Sequence, residues 1–567
     1  MRTLSEIRFH LKKTIENALG SNLKIDENLF TTPPQPEMGD FSFPCFLLAK
    51  EMKQDPKELA ARLSDTIHTD DIIASVRGDG GYVNCAVWPQ VLVSAIFATV
   101  SETKKIKTED KIMLEYSQPN THKEFHVGHL RNVCLGNALV NILRENGMKI
   151  ISVNYINDTG THVAKSLWAF SKFHANEVPS DHKGRFLASI YVEATQKSDE
   201  NEDAKKEIAE VLRKLEDGDP QVMQLWHETR QWSLDHFDHI YALLKVSFDH
   251  VFYDSELIRE GKDMVSELQK KKIAKKSQGA ILVDLEVYGL DVFLLQKSDG
   301  TALYATKDLA LAKKKYDTFD IDESIIVTDT RQSFYFKQLF KTLELYGFKK
   351  KMIHIPYESV TLPSGAMSSR KGNVILFDDL FDQACEKARH ETRKRHPEWD
   401  QTRVLEVSTT IALTAMKFTM LKHENNQIIT FDLDAALSFE GDTGPYILYT
   451  YARIQSIFRK ILNNHIHLTD DLVDYGWLQT TEERAVLRLM KDFNAILSES
   501  AVFYKPSLLA VYSLNLCHSL NTFYHQCPIV QEKHLETQHA RVVLLRHAAQ
   551  LIERLLRILN IPLLVEM

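Results

Sequence analysis

Residues 111–156 read KIMLEYSQPNTHKEFHVGHLRNVCLGNALVNILRENGMKIISVNYI, and three pieces of this stretch decide the fold. KIMLEY is a short apolar run of strand type. After the irregular SQPNTHKEF, the segment HLRNVCLGNALVNILREN is helically periodic and is stopped by Gly147; KIISVNYI (Lys149–Ile156) is then a β-branched strand. Strand, loop, helix and strand within about 45 residues make a βαβ unit, the building block of a doubly wound parallel sheet. In such sheets ligands bind beyond the strand C-termini, where helix N-termini offer free N–H groups and a positive dipole end. The loop at that position carries FHVGHLRN (Phe125–Asn132). Gly128 lets a flat base approach the backbone, and His126 and His129 can donate hydrogen bonds to phosphate oxygens as negative charge builds up. A bare HxGH string is equally compatible with two surface histidines at a helix start, so the rest of the chain has to choose.

Working outward, residues 1–105 combine helical and strand-like segments, including DPKELAARL with Asp55 as a cap and Pro56 at the first helical position. The Lys-rich SETKKIKTED (Ser101–Asp110) then marks a boundary. Further strands are expected at ILVDLEV (Ile281–Val287), DVFLLQ (Asp291–Gln296), SIIVTD (Ser324–Asp329) and KMIHIP (Lys351–Pro356), interleaved with helices. The charge-laced Ser198–Asp217 reads as a solvated helix in an insertion. After about Asp379 the strand signals stop. The expected architecture is an α+β N-terminal domain (1–105), a Rossmann-type α/β catalytic domain with a doubly wound parallel sheet (106–430) and an all-α bundle (431–567).

Composition sets outer limits. The chain has 567 residues, 44% of them hydrophobic and 26% charged, with a net charge of −8. These values argue against collagen-like, disordered and disulfide-scaffold classes. No apolar run of 18 or more residues stands out, so no spanning helix is expected; the first residues lack the apolar core of a secretory signal, and an ordinary first helix is favoured over a transit peptide. Six scattered cysteines without a CxxC fit a reducing compartment. Cys517-His518 and His525 to Cys527 match no structural zinc spacing, so no metal ligand set is expected. The acidic balance lowers the odds of a nucleic-acid partner, but it does not locate the Lys and Arg side chains that phosphate needs.

The motifs go further. FHVGHLRN resembles the "HIGH" signature of the class I aminoacyl-tRNA synthetases, and AMSSRKGN (Ala366–Asn373) resembles their "KMSKS" loop, with Ala366 and Ser369 where the family has lysines. A weakened second loop is a habit of the arginyl-tRNA synthetases. LEYSQPNTHKEFHVGHLRN is similar to that branch in detail, as are NYINDTGTH (Asn154–His162), KSDGTALYATKDLA (Lys297–Ala310), VTDTRQSFYFKQ (Val327–Gln338), GDTGPYILYTYARI (Gly441–Ile454) and the C-terminal NIPLLVEM.

The resemblance implies roles. His126, His129, Lys123, Arg370 and Lys371 would stabilise charge on the phosphates, with Lys123 standing in for the missing loop lysine. Pro119, Val127, Gly128, Met367 and Ser368 would contact ATP. Glu115 and Asp308 would pair the guanidinium of arginine beside Tyr304, with Asn120 and Gln332 on its α-amino and α-carboxylate groups; carboxylates suit a planar guanidinium because they pair with it bidentately. Tyr304 is otherwise a core aromatic and Asp308 a helix N-terminal charge, but their spacing of four places them on one face if the segment is helical. Tyr449, Tyr451, Arg453 and Met567 would meet the tRNA, although most aromatics there will be core.

By that resemblance, the chain would activate L-arginine with Mg-ATP and transfer it to the 2′-hydroxyl of tRNA(Arg), without prosthetic group, membrane or editing domain. Arginine activation would require tRNA. A cytoplasmic monomer is the family expectation. Two other readings remain: a small nucleotidylyltransferase acting on a metabolite, and a non-catalytic RNA- or amino-acid-binding paralogue.

Overall fold

The structure is a computed structural model. It describes residues 2–567 apart from 21–23, 102–107, 176, 178, 180, 200, 299, 364–374 and 464–472. Near the N-terminus, β1 (Phe41–Pro44), β2 (Ile73–Asp79) and β3 (Tyr82–Val87) form an antiparallel sheet in the order β1-β3-β2, flanked by helices Leu4–Leu19 and Pro56–Thr66. Asp55 caps the second helix through the N–H groups of Lys57 and Glu58, with Pro56 at its start.

The central sheet contains β4 (Lys111–Glu115), β5 (Lys149–Ile156), β6 (His250–Tyr253), β10 (Glu323–Asp329) and β11 (Lys351–Tyr357), in the order β11-β10-β4-β5-β6 with every pair parallel. Strand order reverses at β4, so the crevice between β4 and β10 is the topological switch point at which doubly wound sheets bind ligands. The helix Val127–Glu145 follows β4 and is buried almost all round. Its close fit depends on Gly136: a Cβ there would lie 2.2 Å from the Tyr116 ring. On the same helix Arg131, 1% exposed, donates to the carbonyls of Glu358, Gln427 (2.9 Å) and Glu424 (3.1 Å), clamping the segments that follow β11.

Two expectations about strands need correction. The segments around Ile281–Val287 and Asp291–Gln296 do not join the parallel sheet. β7 (Ala274–Ser277), β8 (Ala280–Asp284) and β9 (Val292–Gln296) make a separate antiparallel sheet. The connections Gln278-Gly279 and Leu285–Asp291 are too short for the crossover that parallel strands require, and Gln278 and Gly279 both have positive φ, as a tight hairpin demands. Strand pairing also continues past Asp379: β13 (Ile429–Thr430) runs parallel to β12 (Val360–Thr361).

Between β5 and β6 the chain inserts four helices, Thr161–Phe173, Lys183–Asp199, Glu202–Asp217 and Pro220–Leu243. The charged third helix is solvated on one face only. Ala204, Ile208, Leu212 and Leu215, spaced at helical periodicity, are buried against its neighbours. The C-terminal part is a helical bundle. Helix Gln401–Leu421 is long and apolar enough to cross a membrane (mean hydropathy 1.3), but 78% of that window is buried inside the protein, as in a core helix. The N-terminal unit docks on the bundle: Lys491 donates to the Asp40 carbonyl and lies 4.4 Å from the Phe41 ring centroid, and Phe97 stacks on His547 at 3.9 Å.

Candidate active site

A cavity of about 810 Å³ opens at the switch point. Its first wall is the loop after β4. Ser117, Gln118 and His122 all have left-handed φ (79°, 49° and 62°), a strained run of side-chain-bearing residues. Neighbouring polar groups hold the strain. Ser117 N–H donates to Asn132 at 2.6 Å, Gln118 N–H to Asn154 at 3.0 Å and His122 N–H to Ser233 at 2.9 Å.

The loop ends in the signature. His126 caps the helix Val127–Glu145, its Nδ1 accepting Gly128 N–H at 3.1 Å, while His129 Nδ1 accepts His126 N–H at 3.1 Å. The two rings stack at 3.8 Å. Because each Nδ1 is spent as an acceptor, each imidazole is the neutral Nε2–H tautomer and a hydrogen-bond donor. Burial pushes His126 down to about 4, helped by the charges of Arg331 and Lys123, and drives His129 well below its ordinary value. Both histidines, Gly128 and Lys123 line the cavity. Gly128 has a further reason to be glycine, since a Cβ would stand 2.9 Å from His126 Cε1. Val127 and Pro119 are buried and do not line the cavity; Val127 N–H is taken by Ile375 O and the Pro119 carbonyl accepts Asn157 N–H. Ile375 adjoins the segment 364–374, and on its other side Val360 and Thr361 line the cavity. Met367, Ser368, Arg370 and Lys371 lie outside the described residues.

The other end of the cavity is a corner of buried charges. Tyr304 and Asp308 do share a helix, Tyr304–Phe319, and both line the cavity together with Glu115, Asn120 and Gln332. The two carboxylates differ. Glu115, at the end of β4, is 3% exposed and already met by Lys315 at 2.5 Å and by Gln118 Nε2 at 2.7 Å. Asp308 accepts the Tyr335 hydroxyl on Oδ2, whereas its buried Oδ1 has no hydrogen-bond partner among the described residues. The hydroxyl of Tyr155, on β5, is likewise buried and unpartnered. Burial raises the Asp308 carboxyl to about 6, the Tyr335 hydroxyl pulls it back, and Glu115 adds to the rise. Thus Asp308, on the cavity wall, keeps one carboxylate oxygen without a hydrogen bond or a cation among the described residues, whereas Glu115 Oε2 is met by Lys315. Lys315, Tyr155 and Tyr335 escape sequence reading, because Tyr155 looks like any strand aromatic and Lys315 like one of a run of three lysines.

The bundle sorts the expected tRNA residues. Tyr449 is 37% exposed, and the guanidinium of Arg453 lies 4.4 Å from the Tyr524 ring centroid. Tyr451 is 4% exposed with its hydroxyl bound to Glu553, so it is a core residue and offers no face for base stacking. Two positions along a helix are rotated by about 200°, so Tyr449 and Tyr451 cannot face solvent together. Met567 packs partly buried against the core. Cys517 is buried, and its neighbour His518 engages Tyr446 and Asp442.

Comparison with known proteins accords with this geometry. Residues 92–433 match the family described as tRNA synthetases class I (R), catalytic domain; residues 447–567 match the DALR anticodon binding domain and residues 5–87 the arginyl tRNA synthetase N terminal domain. An arginine–tRNA ligase of Bdellovibrio bacteriovorus is 36% identical, over 94% of this chain and 92% of its own. One from Clostridioides difficile is 34% identical, over 97% of both chains. The arginyl-tRNA synthetase structure from Thermus thermophilus superposes with a TM-score of 0.81 at 26% identity, covering 99% of this chain and 100% of its own. With relatives above 30% identity over nearly their full lengths and a catalytic-family match spanning more than half its residues, the chain belongs to the arginyl-tRNA synthetases of class I.

Proposed function

We propose that the open Asp308 oxygen and the Tyr155 hydroxyl receive the guanidinium of L-arginine, and that the paired neutral histidines serve the nucleotide at the opposite end of the same cavity. The chain is an arginine–tRNA ligase: it attaches L-arginine to tRNA(Arg) through arginyl-adenylate, consuming ATP and releasing AMP and pyrophosphate. The observation that carries the site assignment is that Asp308 Oδ1 and the Tyr155 hydroxyl, both on the cavity wall, are buried without a hydrogen-bond partner among the described residues, since buried polar groups left unsatisfied await a ligand that completes them.

In the first step ATP enters as its Mg²⁺ complex, and an α-carboxylate oxygen of arginine attacks the α-phosphorus in line, expelling pyrophosphate. The Nε2–H groups of His126 and His129, with Lys123, Arg370 and Lys371, meet the charge that develops on the phosphates. Neutral donors suit this task because they strengthen as the oxygens gain charge and need no reorganisation. Gln332 and Asn120 hold the α-carboxylate and α-amino groups, and Tyr304 closes the corner. In the second step the 2′-hydroxyl of the terminal adenosine attacks the adenylate carbonyl, releasing AMP. Exposed Tyr449, with Arg453, and the C-terminal Met567 serve anticodon-side contacts, and the N-terminal unit (1–105) serves the outer corner of the tRNA. The enzyme works as a cytoplasmic monomer.

A charging assay with tRNA and each of the twenty amino acids tests this. Arginine alone should be esterified, and ATP–pyrophosphate exchange should require tRNA; charging of another amino acid, or strong exchange without tRNA, would overturn the reading.

A further inference from the structure

The inserted helix Pro220–Leu243 runs behind the loop after β4 and the strand β5, and touches both. Thr229 Oγ1 lies 2.8 Å from His122 Nε2, Ser233 accepts His122 N–H, and the Tyr241 hydroxyl accepts Asn154 Nδ2 at 3.0 Å. One contact reaches deeper. Arg230 Nε donates to Asp158 at 2.6 Å, and Asp158 also accepts the N–H and O–H of Ser255, both at 2.9 Å. Asp254 returns the exchange: one oxygen accepts the N–H groups of Asp158 (3.0 Å) and Thr159 (2.9 Å), and the other accepts Lys307. Both carboxylates are fully buried.

Lys307 stands between Tyr304 and Asp308 on the first turns of their helix. The same turn is fixed from two further sides. Thr306 Oγ1 donates to the Leu295 carbonyl at 2.5 Å, and the Thr306 carbonyl comes so close to Gly261 that a Cβ there would be 2.5 Å away. We infer that Arg230, Asp158, Asp254 and Lys307 form one positioning chain through which the insertion sets the placement of Asp308 and Tyr304, and hence the affinity for arginine. Buried carboxylates paired with cations and with backbone N–H groups have few alternative arrangements, and an ångström of misplacement in a site of this kind costs on the order of a hundredfold. Arg230 itself lines no part of the cavity.

The inference rests on Asp308 as the guanidinium acceptor, so Asp308→Asn serves as the reference variant. Arg230→Gln keeps an N–H donor for Asp158 while removing the charge. The double variant Asp254→Asn with Lys307→Met removes the inner ion pair without leaving a buried charge uncompensated. Steady-state charging kinetics and thermal unfolding are measured for each. The chain predicts an arginine KM raised about tenfold in Arg230→Gln and more in the double variant, with the ATP KM within about twofold, and recovery in Arg230→Lys. Equal rises in both KM values, or an unchanged arginine KM in folded Arg230→Gln, would overturn it. If Asp308→Asn also leaves the arginine KM unchanged, the fault lies in the reading of Asp308; if Asp308→Asn alone raises it, the positioning chain is wrong.

Discussion

The two ends of the cavity are built from opposite materials. At the nucleotide end the signature helix contributes neutral groups, His126 and His129 held as Nε2–H donors by backbone N–H groups on their Nδ1 atoms, with the Lys123 cation beside them. At the amino-acid end the helix Tyr304–Phe319 brings Asp308 beside the buried ion pair Glu115–Lys315, and its Lys307 pairs with buried Asp254. The difference follows from what each end must recognise. A guanidinium keeps its charge throughout the reaction, so a fixed opposite charge reads it in the ground state. The phosphate oxygens gain charge only on the way to the transition state, and donors that respond to that gain lower the barrier instead of tightening substrate binding.

Substitutions at the two ends should therefore fail differently. The largest loss is expected for Asp308→Ala, which strips a buried cation of its partner at about 3–5 kcal/mol, a rise in arginine KM of roughly 150- to 5,000-fold with little change in the ATP KM. His129→Ala should instead lower kcat by about 10²-fold while the arginine KM holds, and a KM effect there would blur the contrast. Tyr155→Phe removes one uncharged donor from the charged corner, and an arginine KM about 10-fold higher is expected. The smallest effect is that of lowering the pH to about 6, which roughly halves the ionised fraction of Asp308. Asp308 is raised to about 6, so below that value it takes up a proton and loses the charge that arginine requires, whereas above it the charge is complete. Arginine kcat/KM should be flat above pH ~6 and fall about tenfold per unit below it. His126, held near 4, should add no inflection above that value. An inflection near 6 that persists unchanged in Asp308→Asn would contradict the assignment.

Sequence reading succeeded where the information is local. The βαβ unit, the Asp55 cap of the helix Pro56–Thr66 and the four-residue spacing of Tyr304 and Asp308 all follow from periodicity and from residues near one another in the chain. It failed where partners come from afar. Nothing around Glu115 announces Lys315, and nothing around Asp308 announces Tyr335; both pairings arise because the sheet brings β4 and β10 together with the helices that follow β9 and β10. Short edge strands such as β6 and β13 are stabilised by the neighbours they pair with more than by their own sequences, which makes them hard to anticipate.

The central claim is that one open carboxylate, Asp308, reads the charge of the substrate. Citrulline has nearly the shape of arginine but carries a neutral urea group, so the ratio of kcat/KM for arginine to that for citrulline isolates that charge. In Asp308→Asn this ratio should collapse by about 10²-fold or more relative to the unsubstituted enzyme; a ratio that stays the same would show that the guanidinium is read elsewhere.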